Sequence, residues 1–196
     1  MTAKTTVSII FIASFACILT VACHNSSATP KPYGYFRITM PENTYQKFDI
    51  NTKQYSFEYS AIARINERTD KPDQNWIDIV YPQHNVTIYI TYHNVKNNLD
   101  TMVNDSHNFT YRHTIKANAI DEMMYLYPEK KVYGLYAELE GDAASPIQFL
   151  LTDSTHNFLR GSLYFNAEPN SDSVAPVVDF IRKDIIHLME TLEWKK

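Results

Sequence analysis

The string "TDSTHNF" brings Asp153, Ser154 and His156 within four residues of one another. An acid, a hydroxyl and an imidazole are the members of a nucleophilic triad. A triad, however, needs its base bonded to the nucleophile, with the groups converging in space, and neighbours in a tight turn point apart. Asp and Ser are common in hairpin turns for another reason, because their side chains bond nearby backbone amides. The string therefore reads as a turn, and no catalytic residue is assigned. Metal chemistry has no better support. His107 and His113 are six residues apart, which on a helix points them to different sides, and no H-E-x-x-H, paired-cysteine or EF-hand spacing occurs. "GDAAS" at 141–145 lacks the glycines and lysine of a phosphate loop. Neither enzyme activity nor a cofactor is expected.

Arg160 offers recognition rather than reaction. It falls in "NFLRGSLYF", whose alternation puts Leu159, Leu163 and Phe165 on the opposite face of a strand. A structural role pairs it with Asp153 or Glu138 on a neighbouring strand. A functional role has its guanidinium fork grip a partner's carboxylate. Asp153 and Arg160 are thus the two candidate interaction residues.

The third chemistry is at Cys23. Lys4 is the one charged side chain in the first 22 residues, and Ile9 to Ala22 is almost wholly apolar. That run is too short to cross a bilayer, which takes roughly 20 residues. With a small residue before a cysteine, "LTVAC" resembles a lipobox, predicting a signal peptide over 1–22 and acyl chains such as palmitate on Cys23. The competing reading is an ordinary signal peptide with an incidental cysteine. Cleavage before Cys23 removes Cys17 and leaves no free thiol for a disulfide, a nucleophile or a metal. Several acyl chains together anchor firmly where one is marginal. Residues 23–32 are a small, polar, proline-bearing tether, and 33–196 have the length of one domain. The cleaved chain carries 17 basic against 22 acidic residues, so nucleic acid is not an expected partner. The residues after Cys23 lack the early acidic cluster that resembles a surface-export tag in some bacteria; the expectation is the outer membrane with the domain facing the periplasm, with the inner membrane as the alternative.

The elements that must position these residues follow from periodicity. "YSFEYS" alternates as a half-buried strand, and "WIDIVYP" with "VTIYITYH" reads as a hairpin. Leu99, Met102, Val103, Ser106 and Phe109 then fall at helical spacing, predicting a helix from 97 to about His113. "KVYGLYAELEG", "IQFLLTD" and "FLRGSLYFN" are strands. A last helix is capped at Ser173, tolerates Pro176 in its first turn, and lines up Val178, Ile181, Ile185, Leu188 and Leu192. The fold class is α+β, an antiparallel sheet of about six strands covered by two main helices. The element order is similar to the PsbP-type fold.

"FLLTDSTHNFLRGSLYFNAEPNSDSVAPVVDFIRKDIIHLMETLEWK", with "YGYFRI", "YSFEY" and "YRHTIKANAI", resembles the gliding motility lipoprotein GldD family of Bacteroidetes over essentially the whole mature chain. The resemblance implies a non-catalytic, lipid-anchored envelope subunit required for gliding and associated with type IX secretion. Its partners would be the membrane, through Cys23, and other gliding or secretion proteins of the envelope. It also implies cysteines near the positions of Lys53 and Asn75. This chain has neither, so no disulfide staple is expected there and packing alone would hold those strands. The alternative function is a lipid-anchored domain that binds a small ligand or glycan in a tyrosine-lined pocket.

The anchor is directly testable. Cys23→Ser should be exported but fail to incorporate a fatty-acid label, because a hydroxyl is not a substrate for diacylglyceryl transfer. Labelling of the variant would refute the lipobox.

Overall fold

Two antiparallel sheets and two helices make up the described residues, which in this computed structural model are 40–68, 75–112, 117–166 and 171–195. The signal segment, Cys23 and the tether lie outside them, as does His113.

The larger sheet is built around the expected hairpin. Strands β4 (Ile77–Tyr81) and β5 (Val86–Asn94) pair with Ile79 opposite Ile88, and Asn85 takes the left-handed conformation at the turn between them (φ 54°). Asn is among the few residues that adopt it readily. Strand β9 (Asn157–Phe165) adds to β5, β8 (Ile147–Thr152) to β9, β7 (Val132–Gly141) to β8, and β6 (Ala117–Tyr127) forms one edge. The short β3 (Arg64–Glu67) forms the other, giving the order β3-β4-β5-β9-β8-β7-β6. A smaller sheet is made by β1 (Tyr45–Phe48), β2 (Tyr55–Ser60) and β10 (Glu193–Trp194), in the order β1-β2-β10. Ten strands among the described residues exceed the six expected. The additions are the short β1, β3 and β10 and the long β6.

Helix α1 spans Leu99–Arg112 and helix α2 spans Ser171–Thr191. The α2 stripe behaves as its spacing demands. Val178, Ile181, Ile185, Leu188 and Leu192 are all buried, in one core with Ile79, Ile88, Ile90, Leu151, Leu159 and Leu163 of the large sheet. Full burial of each such side chain contributes about 1.5–3 kcal/mol. The helix starts at Ser171, two residues before the expected cap, so Pro176 lies within it. In α1 the buried residues are Ser106 and Thr110, while Phe109 is 46% exposed. Of the expected inward stripe Ser106 is buried and Leu99, Met102 and Val103 are half-buried; Phe109 alone departs from it, its inward place taken by Thr110, which meets the buried Gln148.

One approach in the core admits only glycine. Gly161 stands opposite Phe149, and a Cβ there would lie 2.1 Å from the Phe149 ring.

Where the family resemblance implies cysteines, polar ties are present, and packing is not alone. Lys53, buried on its way to the surface, pairs with Glu67 at 3.1 Å, and the Tyr55 hydroxyl donates to the carbonyl of Asn75 at 2.7 Å.

Asp184 couples α2 to both sheets. Only 2% exposed, it accepts from Asn43 Nδ2 at 2.7 Å and from the Tyr81 hydroxyl at 3.0 Å. Burial pushes its carboxyl above the ordinary carboxylate range, and these donors only partly offset that. The fold thus binds the proton more readily than the unfolded chain, so this residue's contribution is fullest in acid. It diminishes as pH rises through the raised value. Asp184→Asn removes the titration. Urea unfolding at a series of pH values should show the stability of the native chain relative to Asp184→Asn falling as pH rises from about 4. A difference that stays constant would contradict this.

Candidate functional site

The turn after β8 is organised around a single carboxylate. Asp153 Oδ1 accepts backbone amides from Thr155 (2.9 Å), His156 (2.7 Å) and Asn157 (2.8 Å), and Oδ2 accepts Asn157 Nδ2 at 2.7 Å. Ser154 takes the left-handed conformation (φ 68°), and its amide donates to Thr152 Oγ1. Burial opposes ionisation of Asp153, but the amides together outweigh it and hold the carboxyl below its ordinary value. The imidazole of His156 contacts the Thr155 hydroxyl at 3.0 Å. No bond among the described residues joins that imidazole to Ser154 or to the Asp153 carboxylate, so the nucleophile, base and orienter relationship is not formed. What this carboxylate does chemically is close a turn.

Arg160 and Asp153 are not brought together. Arg160 sits near the middle of β9, where it is opposite Thr91 of β5 and Leu150 of β8. The pairing with Asp153 or Glu138 offered by its strand position does not form. Asp153 is committed to the turn. Glu138 lies on the other face of the sheet, where it binds Arg182 of α2 through two contacts, Nε to Oε2 at 2.9 Å and Nη2 to Oε1. Residues on opposite faces of a pleated sheet cannot reach each other. No carboxylate among the described residues lies within ion-pair distance of Arg160.

Instead, Arg160 Nη2 donates to Gln148 Oε1 at 2.6 Å, and the Phe109 ring of α1 lies 5.2 Å from its guanidinium carbon. Gln148 Oε1 also accepts from Thr110 Oγ1 at 3.3 Å. Burial draws the guanidinium pKa below its ordinary value, yet arginine remains protonated in proteins. The result is a part-buried cation beside a cleft of about 410 Å³ between α1 and the β5–β9 strands. Trp76, His93, Met102, Phe109 and Phe158 share its lining with Arg160.

A second feature was not legible from periodicity. Among the described residues strand β6, 11 residues long, has no partner on its outer side, and Met123, Met124, Leu126 and Tyr127 on it are 56, 72, 59 and 38% exposed. The run "EMMYLY" carries apolar residues at consecutive positions, which fits neither a one-sided strand nor a one-sided helix. That irregularity is the signal. Gln148 likewise stands alone in the apolar "IQFLLT", and a buried amide in such a run marks a polar contact.

Among the described residues no group of His, Cys, Asp and Glu side chains is arranged to hold a metal, and no helix is long and apolar enough to cross a membrane. Four tyrosines build core: Tyr55, Tyr81, Tyr92 and Tyr136 are buried, with hydroxyls bonded to Asn75, Asp184, Asn157 and Glu138.

Because Asp153 serves four hydrogen bonds, Asp153→Ala should cost about 1.5–3 kcal/mol in a urea titration. Ser154→Ala and His156→Ala should each cost under about 0.5 kcal/mol, as expected of exposed positions. Both should leave gliding intact. Loss of gliding by a folded Ser154→Ala or His156→Ala protein would point to chemistry at this turn after all.

Comparison with solved structures finds the same fold in cyanobacterial PsbP (CyanoP) from Synechocystis sp. PCC 6803. The TM-score is 0.50 at 6% identity, over 81% of this chain and 97% of that one. At that identity the likeness speaks for the α+β fold alone. No curated protein sequence matches. The family model of the gliding motility lipoprotein GldD matches residues 25–194. With that match spanning nearly the whole chain, the protein belongs to the gliding motility lipoprotein GldD family.

Proposed function

We propose that this gliding-motility lipoprotein is a non-catalytic subunit of the cell envelope, associated with type IX secretion, that works by docking other envelope proteins. Its anchor is the lipid on Cys23, and the outer membrane, with the domain facing the periplasm, is the location that fits the sequence after Cys23.

The observation that carries the reading is the β6 edge. Unpaired backbone groups on an edge strand are a template for another chain, and soluble domains blunt such edges with short strands and charge. The opposite edge follows that rule, since β3 has four residues and two of them, Arg64 and Glu67, are charged. Strand β6 breaks it, being nearly three times as long and carrying four of the six exposed large apolar side chains among the described residues. Met124 and Leu126 face the α1 side, and Met123 and Tyr127 the other, so an added strand could be gripped on both faces. The charges argue against a second copy of this chain. Between Ala117 and Tyr127 the only charged residues are Asp121 and Glu122, and an antiparallel self-pair centred on the strand sets Glu122 against Glu122. An extended partner segment with apolar side chains flanking a basic one fits better.

Met124→Glu with Leu126→Glu tests this on exposed positions. The double variant should keep its melting temperature within about 2 °C and still be anchored, yet lose gliding. Normal gliding by this variant would exclude the β6 edge as the docking surface.

A further inference from the structure

We infer that the cleft between α1 and the β5–β9 strands binds an organic carboxylate with an apolar or aromatic body, its carboxylate held by Arg160. This site is separate from the β6 edge and does not depend on the docking reading.

Arg160 is a cation that the domain half-buries without giving it an anion among the described residues. Of the Arg160 nitrogens, only Nη2 has a hydrogen-bond partner among the described residues. A guanidinium presents five donors in a planar fork suited to a carboxylate. The fork is held in place. Gln148, 2% exposed, directs Oε1 to Arg160 and receives Thr110 on the same atom, while its Nε2 is left with no partner. Leaving a buried amide N–H unpaired is costly, roughly 1–3 kcal/mol. Reversing the amide would point that N–H at the guanidinium, so the orientation that serves Arg160 is the one retained. Phe109 stacks over the cation from α1 although its ring is half exposed. Held by Gln148 below and Phe109 above, the guanidinium leaves Nε and Nη1 to the cleft.

The rest of the lining selects the body of the ligand. Trp76, Met102 and Phe158 provide apolar walls, and the volume of about 410 Å³ falls in the range of small-molecule sites. Arg160 is the one Lys or Arg in that lining, and Asp105 contributes a carboxylate to it. A lone cation facing an acidic neighbour favours a singly charged carboxylate over a phosphate dianion, which would meet repulsion without a second cation. His93, the other titratable group there, is kept neutral at neutral pH by its burial and does not compete for the anion. The first turn of α1, with Asn98 and Thr101, also lines the cleft, and a helix N-terminus favours negative charge.

The test uses the full-length lipidated protein in detergent with phenylacetate as the probe and phenylacetamide as its neutral counterpart. The chain has two tryptophans. In a Trp194→Phe background, emission reports on Trp76 in the cleft. Phenylacetate should give a saturable change with a dissociation constant at least about tenfold below that of phenylacetamide. Arg160→Gln should weaken phenylacetate by at least about tenfold, and Arg160→Lys, which keeps charge but loses the fork, by a similar factor. Phe109→Ala, at an exposed helix position that leaves the sheet untouched, should also weaken it. Equal response to acid and amide, full binding by a folded Arg160→Gln or Arg160→Lys protein, or no saturable response to phenylacetate would each overturn the assignment.

Discussion

Leu159 and Leu163 face helix α2, while Arg160 and Ser162, one residue away on the same strand, face helix α1. This period of two is the constraint from which the rest of the domain follows, because each residue of a sheet belongs to one face and cannot serve the other. On the α2 face the result is a dense apolar core. On the α1 face it is a row that crosses the sheet from Thr91 through Arg160, Leu150 and Leu135 to Met124 at the open edge. The helix covering that row buries Ser106 and Thr110 rather than an apolar stripe. The apolar core and the more polar α1 face are therefore separated by the pleat.

Such a division explains where polar groups are tolerated. On the α2 face the buried carboxylate Asp184 is met by Asn43 and Tyr81, and Glu138 by Arg182. These contacts tie Asn43, just before the small sheet, and strands β4 and β7 of the large sheet to α2. His187 of that helix adds to them by reaching Glu58 of β2 at 2.7 Å and stacking on Tyr45 of β1. His84 Nε2, whose ring packs on Phe180 of α2, is one of three buried polar side-chain atoms without partners among the described residues; the other two, Gln148 Nε2 and Ser162 Oγ, lie on the α1 face. Since unsatisfied buried groups are rare and costly, their presence beside Arg160 is consistent with a surface shaped for something beyond stability.

How much of this was legible in the sequence depends on whether an element's pattern is local. The α2 stripe and the β4–β5 hairpin were readable because burial on one face imposes a clean period. Strand β6 was not, as its exposed apolar residues on both faces leave no period. Strands β1 and β10 have four and two residues and exist through pairing with β2, a relation that sequence spacing does not encode. The Arg160 partner failed for a related reason. Glu138 and Asp153 were reasonable by proximity along the hairpins, but register and parity put Glu138 on the far face. That Arg160 faces away from Leu159 and Leu163 was readable; that it finds an amide and a ring there instead of a carboxylate was not.

As a lipoprotein of the gliding family, the chain is held at a membrane and needs no span of its own. For its domain we propose contact as the role. In our account the contact runs along β6, with Met124 at its most exposed point. The most direct measurement places a photo-crosslinking amino acid at position 124 in gliding cells and, as a control, at position 155 in the Asp153 turn. The account predicts a discrete adduct from position 124 with a protein of the gliding or secretion apparatus, and none from position 155. Position 124 yielding no protein adduct, or the same adducts as position 155, would contradict it.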